Sequence, residues 1–461
     1  MKHYDLIVIG SGPAGQSAAI GARKNRLSVL IVEDKEKVGG NCTFNGTIPS
    51  KSLRECVSKF KLIKTDPTLS SLIVKPLSIE HVTNYAKQVI NKQNLRISDN
   101  IHRNGVVSTT GRARFKNKTT IEVSCGNLIK QYTGSSFVIA TGSRPYRPTN
   151  IDFKHPMIFD STTILGINKN IKSLAIIGGG IISNEYACVF AGLGVSVTIF
   201  NPRSSLMEFL DDEISSALQK QLESENIIIL NDNNVTSIEP TDLNTITIKT
   251  EISKTHYDAV LFANGRTGNS DSLNLECLNI KTNSRGQITV NQDFQTSVDN
   301  IYAAGDIIGH PSLASTSFEQ GRIVSEIISG KNPERPNPIF PTGIYTIPEI
   351  SFIGLNEKEL KKQKTPYMVG SAQFSHLARS QISGCEVGFI KILFCPKTLE
   401  IFGVHCFGPQ ASEIIHVGQS IMLQKKGGNS IKYFVNTMFN YPTNAEAYRA
   451  AALNGLNKLN Y

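Results

Sequence analysis

Short, wholly apolar runs that end on glycines or other small residues recur along the chain. Leu6–Ile9 is apolar at every position and too short for a helix, the pattern of a parallel strand covered on both faces. It leads into Gly10-Ser11-Gly12-Pro13-Ala14-Gly15 and then an alanine-rich stretch, Ala18–Ala22, that reads as helix. A second apolar strand, Ser28–Val32, ends at Glu33 with Asp34 behind it. The same order of elements returns further on. Leu174–Ile177 predicts a strand, Gly178–Ser183 a turn, Asn184–Gly192 a helix and Val195–Phe200 the next strand. Between and after the two units, Phe137–Ala140 and Ala259–Ala263 are further strands that end in small-residue turns, Thr141-Gly142-Ser143 and Asn264-Gly265-Arg266. Ile301–Ala304 closes the series at Gly305-Asp306.

Strand, glycine turn, helix, strand in that order is a phosphate cradle. A pyrophosphate needs backbone close to it, which side chains would block, and the N–H groups and positive end of a helix aimed at it. The glycines meet the first need and the helix start the second. Glu33, twenty-three positions after Gly10, can accept both hydroxyls of an adenosine ribose. The equivalent position in the second unit is Asn201, with Arg203 two further on. A carboxylate there would repel a ribose 2′-phosphate, whereas a neutral amide beside an arginine fork admits one. The first unit therefore suits the adenosine of FAD, and the second should take NADP(H) without excluding NAD(H). Asp306, just past a strand end, is placed to hold a ribityl chain.

The chain has 461 residues, too many for a single core, so about three domains are expected. No apolar run is long enough to span a membrane, and the apolar strand begins so near Met1 that no targeting segment is expected, which points to the cytoplasm. The net charge of +10 is spread along the chain without a nucleic-acid motif, so no nucleic-acid partner is expected. Eight scattered cysteines, with neither CxxC nor zinc spacing, fit a reducing compartment and no metal site. Each except Cys42 reads as a small buried hydrophobe.

These motifs, from Gly10 to Tyr448, resemble the flavoprotein disulfide reductases, the dihydrolipoamide dehydrogenase-like family. The resemblance implies an α/β fold with two Rossmann-like domains, for FAD and NAD(P), and an α+β C-terminal dimerisation domain. It implies an FAD domain over 1–150, an NAD(P) domain over 151–270, a segment over 271–340 completing the FAD site, and a dimerisation domain over 341–461. The flavin set it implies is Gly10, Gly12, Pro13, Ala14, Gly15, Glu33, Asp34, Gly39, Gly40, Asn41, Cys42, Thr43, Lys51, Thr141, Gly142, Asp306 and Ala314. The nicotinamide-nucleotide set is Gly178, Gly180, Ile181, Ile182, Glu185, Asn201, Arg203 and Gly265. Lys51 is expected beside the flavin, paired with Glu185.

Two departures bear on activity. Where the disulfide reductases carry two redox cysteines five positions apart, this chain has Cys42 and Thr47. Where they end in His-Pro-Thr before a glutamate, it has Tyr441-Pro442-Thr443 before Glu446. Threonine forms no disulfide, and a phenol is poorly matched to proton transfer at neutral pH. This combination looks like the transhydrogenase branch of the family, which passes hydride between NADPH and NAD⁺ through FAD, one nucleotide after the other at one site. Lys51, Glu185, Thr47, Tyr441 and Glu446 are the expected catalytic set, in a homodimer or higher homo-oligomer. The rival readings are a single-cysteine NAD(P)H oxidase or peroxide-type reductase, and a non-catalytic FAD-binding regulatory protein. Ala411–Val417 reads as a helix with an apolar face, and the resemblance implies that it lies in the dimer interface, with His416 on it.

Overall fold

The computed structural model describes residues 1–73, 75–242, 244–425 and 427–459. The apolar runs become neighbouring parallel strands at the centre of two sheets. Lys2–Ile9 lies between Val29–Glu33 and Leu128–Ile139, parallel to both, and Val107–Thr110 extends the sheet beyond Val29–Glu33. Leu128–Ile139 is long enough to serve two partners on one edge. Its first half pairs antiparallel with Thr120–Cys125, and its last three residues pair parallel with Ile301–Ala303. Arg112–Asn117 completes the seven-stranded sheet.

A second sheet of five strands, all pairings parallel, runs Ile228–Leu230, Ser196–Phe200, Ser173–Ile177, Ala259–Phe262, Ile158–Asp160. In both sheets the central strand feeds the glycine turn, so each turn sits at the sheet's carboxyl edge, where ligands of such folds bind. A two-stranded ribbon joins the units where the chain passes between them, Ser143–Pro145 antiparallel to Arg266–Gly268. The C-terminal part is a five-stranded antiparallel sheet ordered Thr342–Ile344, Glu349–Gly354, Ile401–Gly408, Phe389–Phe394, Met368–Gln373. Helices Ala411–Met422 and Glu446–Asn457 pack on it.

Helix Pro13–Lys24 lies against helix Ala314–Ile328 at backbone distance. A Cβ on Gly321 would stand 2.2 Å from the Ala14 carbonyl oxygen, and one on Gly21 2.2 Å from Ser325 Oγ. That approach brings the start of the later helix, Ala314, to the first glycine turn. Within that turn, a Cβ on Gly15 would fall 1.9 Å from the Gly10 oxygen, so only glycine lets helix and strand meet there.

Two expectations change. The second helix starts at Ile181 rather than Asn184, because Gly180 already adopts the extended N-cap conformation and the helix follows at once. The cysteines are not uniformly buried: Cys188 and Cys406 are, but Cys125 and Cys277 are exposed and Cys56, Cys385 and Cys395 are intermediate. Cys125 ends a strand at a hairpin, and Cys277 sits in a one-turn helix over Phe115, both at the molecular edge. All eight are free thiols.

Candidate functional site

The two glycine turns open into one continuous cavity of about 2350 Å³. Ligand pockets for a single small molecule usually run to about 1000 Å³ at most, so this one has room for two dinucleotides.

In the first cradle Gly10 takes φ +103°, and a Cβ there would lie 2.3 Å from the Ala140 oxygen. Gly12 is the helix N-cap, with Pro13 at the first helical position and Ala14 lining the cavity. Glu33 is buried and accepts from the Ser11 N–H at 2.9 Å, the Ser11 hydroxyl at 2.5 Å and the Lys35 N–H at 3.2 Å. Burial pushes its carboxyl up, against the pull of the Ser11 bonds. Asp34 is half exposed beside Lys35. Ser11 Oγ also accepts the Gly39 N–H at 2.8 Å, which ties the Gly39-Gly40 corner, positive φ at both, to the first turn. Thr43 Oγ1 donates to the Gly39 oxygen at 3.0 Å, and the Asn41 amide donates to the Ser143 oxygen. Opposite, Asp306 accepts from the Ser143 hydroxyl at 2.9 Å, and Arg266 donates to the same hydroxyl and to the Ser143 carbonyl, each at 2.8 Å. Thr141, Gly142 and Ala314 line the wall between.

The second cradle repeats this build. Gly178 takes φ +115°, Gly180 is the N-cap, and Ile181 and Ile182 open the helix into the cavity, with Gly265 facing them. Asn184 donates from its amide to the Gly179 and Gly180 oxygens at 3.0 and 2.8 Å, fixing the turn. Asn201 is almost wholly buried and works on its own loop. Its amide donates to the Arg203 and Ser205 carbonyls at 3.0 Å each and to Asn231 Oδ1 at 2.8 Å. Arg203 projects from that loop, exposed and paired with Glu208 at 3.3 Å.

Lys51 stands between the cradles. Helix Thr47–Thr65 carries it to helix Ile181–Gly192, where its Nζ donates to both carboxylate oxygens of Glu185, at 2.8 and 2.7 Å. Glu185 also accepts the Tyr345 N–H at 2.9 Å, and the Tyr345 ring centre lies 4.8 Å from the ammonium. Cys42 and Thr47 line the same wall, Thr47 as the first residue of the Lys51 helix. Tyr441 and Glu446 are not brought to it within one chain. Tyr441 is 75% exposed on the C-terminal part, and Glu446 starts the last helix. His416 lines the cavity mouth, hydrogen-bonded to Gln419 at 2.8 Å.

The residues present fit dinucleotides at both cradles. A Cβ on Gly12, Gly142 or Gly180 would meet nothing within 4 Å, so the turns face open space where a phosphate can rest on backbone. Among the described residues, the hydroxyls of Thr141 and Ser183 and the Asn184 side-chain oxygen are buried with no hydrogen-bond partner, as polar groups around a ligand site are. Sequence reasoning missed Ser11, Ser143, Arg266 and Tyr345 as members of the site. Ser11, inside the first glycine turn, and Ser143 and Arg266, in turns at the ends of apolar strands, carried a signal; Tyr345 is an ordinary residue whose role comes from long-range contact.

The family described as pyridine nucleotide-disulphide oxidoreductase matches residues 4–321, and its dimerisation domain matches residues 340–452. Among curated relatives, the chain is 48% identical to the soluble pyridine nucleotide transhydrogenase of Aliivibrio fischeri, over 99% of this chain and 98% of that one. It is 49% identical to the protein of the same name from Stutzerimonas stutzeri, over 99% of each. Its fold is similar to that of the HOCl-induced flavoprotein disulfide reductase RclA from Escherichia coli, with TM-score 0.88 and 24% identity over 98% of this chain and 99% of that one. It is similar also to LpdA from Mycobacterium tuberculosis, with TM-score 0.89 and 20% identity over the same shares. Two cradles on the parallel strands of two sheets, the Lys51–Glu185 bridge between them, and the family and curated-relative matches lead to one conclusion: the chain belongs to the pyridine nucleotide-disulphide oxidoreductase family.

Proposed function

We propose that this chain is an FAD-dependent transhydrogenase that moves hydride between NADPH and NAD⁺, yielding NADP⁺ and NADH. The observation that carries the reading is a single cavity joining both cradles at the Lys51–Glu185 pair, with Cys42 facing Thr47 instead of a second cysteine. The names of its relatives at 48% and 49% identity agree with it.

FAD, bound at the first cradle, supplies a two-electron hydride acceptor and donor between the two nicotinamides. The chain's own residues bind, orient and charge the site. Glu33 takes the adenosine ribose, the Gly12 and Gly180 turns take pyrophosphates, and the Ser143–Arg266 network holds Asp306 in place. Glu185 fixes the Lys51 ammonium from the helix beside the second glycine turn, so a preorganised positive charge would stabilise the negative charge of a reduced flavin bound there. Arg203 receives the 2′-phosphate when NADP(H) occupies the second cradle. That phosphate is remote from the nicotinamide, so the exchange is close to thermoneutral and runs with the nucleotide ratios, balancing the NADPH and NADH pools. The dimerisation domain supports a homodimer, in which the partner subunit supplies its own Tyr441 loop, and we place the enzyme in the cytoplasm.

The test is to mix flavin-loaded protein with NADPH and thio-NAD⁺ and follow the reduced thio-nucleotide. Its formation, with parallel lines in initial-rate plots, is expected. No reduced analogue would refute the activity, and converging lines would refute single-site exchange.

A further inference from the structure

The loop that leaves strand Ser196–Phe200 carries both a cation and an anion where the second cradle meets an adenosine ribose. Ser196–Phe200 lies beside Ser173–Ile177, the strand that feeds the Gly178–Gly180 turn, and the end of this neighbouring strand is where such units read the ribose 2′ position. Buried Asn201 sets the loop's shape from inside. On its far limb the Met207 N–H donates to the Gly179 oxygen at 3.2 Å, so the loop folds back onto the glycine turn. Residues 203 and 208 therefore face each other across it, Arg203 Nη1 lying 3.3 Å from Glu208 Oε2, with Ser204 Oγ 3.5 Å from the other carboxylate oxygen.

Glu208 is kept within reach of Arg203 by contacts with the C-terminal part of the chain. Lys358 Nζ donates to the Glu208 carbonyl at 3.0 Å, the Asn356 amide donates to the Phe209 carbonyl at 3.2 Å, and Lys391 holds Asp211 at 2.8 Å. The backbone is pinned while the two charged side chains stay in solvent, 65% and 38% exposed. A pair in that setting is weak and breaks readily. It is well suited to exchange partners.

We propose that Glu208 is a resident competitor for the 2′-phosphate clamp, occupying Arg203 in the free enzyme and setting how strongly NADP(H) is preferred over NAD(H). The inference rests on the reading of Arg203 as the phosphate-binding group. NAD(H) binds with the Arg203–Glu208 pair intact. NADP(H) must displace the carboxylate and then keep its phosphate near that negative charge. Glu208 thereby offsets part of what Arg203 contributes, bringing the two nucleotides closer in affinity. An enzyme that must release one before taking the other needs such levelling, because an unopposed clamp would retain NADP⁺ and stall the exchange.

The experiment is calorimetric titration of the flavin-loaded protein with adenosine 2′,5′-bisphosphate and adenosine 5′-monophosphate, which carry the adenosine end alone. Glu208→Gln is expected to raise the preference for the bisphosphate by roughly two- to fivefold, the range of an exposed ion pair. Glu208→Ala should move it the same way, and Arg203→Ala should abolish the preference. An unchanged preference in both Glu208 variants, with loss in Arg203→Ala, would overturn the competitor and leave the clamp standing. An unchanged preference in Arg203→Ala would overturn the clamp itself and the competitor with it.

Discussion

At the cavity wall, burial pushes the Cys42 thiol up. The Thr47 hydroxyl opposes that push, Asp306 adds to it and the Lys51 ammonium opposes it. The sulfur therefore holds its proton at neutral pH, and a protonated thiol is a poor nucleophile toward peroxide. Cys42→Ser should keep transhydrogenase turnover within about threefold of the parent, since the thiolate that peroxide chemistry requires is not formed. NADPH-driven peroxide reduction that Cys42→Ser abolishes would instead support a cysteine-based peroxide reductase. Lys51→Met removes the charge between the cradles and leaves Glu185, nearly buried, without its cation. Flavin bleaching by NADPH in stopped flow should slow by about 10²-fold, the usual cost of losing one preorganised electrostatic group. Lys51 and Glu185 are 134 residues apart and were paired only through family resemblance, since no local pattern couples them. Asn201 was legible as a neutral residue at an acid's position; its use as the frame of a loop depends on Asn231 and two carbonyls that no motif identifies.

The glycine turns can be told apart by what a methyl group would meet. At Gly12 and Gly180 it would project into open cavity, so Gly12→Ala and Gly180→Ala should fold normally. The first should lose flavin and the second nicotinamide nucleotide, which absorbance of the purified protein and nucleotide titration would separate. At Gly15 the methyl would strike the Gly10 carbonyl, so Gly15→Ala should lower stability and flavin content together. If all three lost only ligand, the packing role of Gly15 would be wrong. Both strand–turn–helix units were legible because fully buried parallel strands leave unbroken apolar runs, and close phosphate approach leaves glycines. The 25-residue helix Ile79–Arg103 escapes that reading, although Ile79, Val82, Ala86, Ile90, Ile97 and Ile101 recur at helical spacing, because that stripe leads to no glycine turn.

Across the whole molecule, the second sheet is fastened to the C-terminal sheet through a buried charge cluster. Lys391 Nζ reaches Asp211 at 2.8 Å and Glu213 at 3.1 Å, and also contacts Glu357, while the neighbouring His405 donates from Nε2 to the Leu355 oxygen at 2.9 Å. Burial opposes ionisation of Asp211 and Glu357, yet the bond from Lys391 prevails and holds them below their usual 3.8 and 4.5. Their contribution is complete above those values and is lost as pH falls through the lower folded values. Burial also pulls Lys391 down, but its carboxylate bonds outweigh it and hold it above the usual 10.5, so its contribution fades only as pH rises past that. Burial keeps His405 neutral, its pKa depressed from 6.5, which costs stability as pH drops below 6.5. Urea midpoints should therefore be flat from about pH 6.5 to about 9.0, above which the buried thiols of Cys188 and Cys406, held above their usual 9.0, also cost stability, and should fall on both sides. Lys391→Met, which strands Asp211, should cost about 3 kcal/mol on the plateau. A midpoint unchanged by that substitution would show that the cluster does not fasten the sheets. Asp211, at the N-cap of helix Asp212–Ser224, and Lys391, on the C-terminal sheet, lie 180 residues apart, beyond the reach of any pattern in the sequence.

The ribbon of Ser143–Pro145 against Arg266–Gly268 brings the chain out of the first sheet and back into it at one place, with the Tyr146 N–H donating to the Gly265 oxygen at 3.0 Å. Residues 146–265 are thus a cassette with its ends side by side, like an insert spliced into a host gene. A cassette from a relative with a different adenosine preference can be exchanged at that seam without cutting a strand of the first sheet, provided it keeps Glu185 for Lys51 and Asp211 for Lys391. Coenzyme choice in this architecture can therefore evolve by replacement of a module as well as by substitution within one.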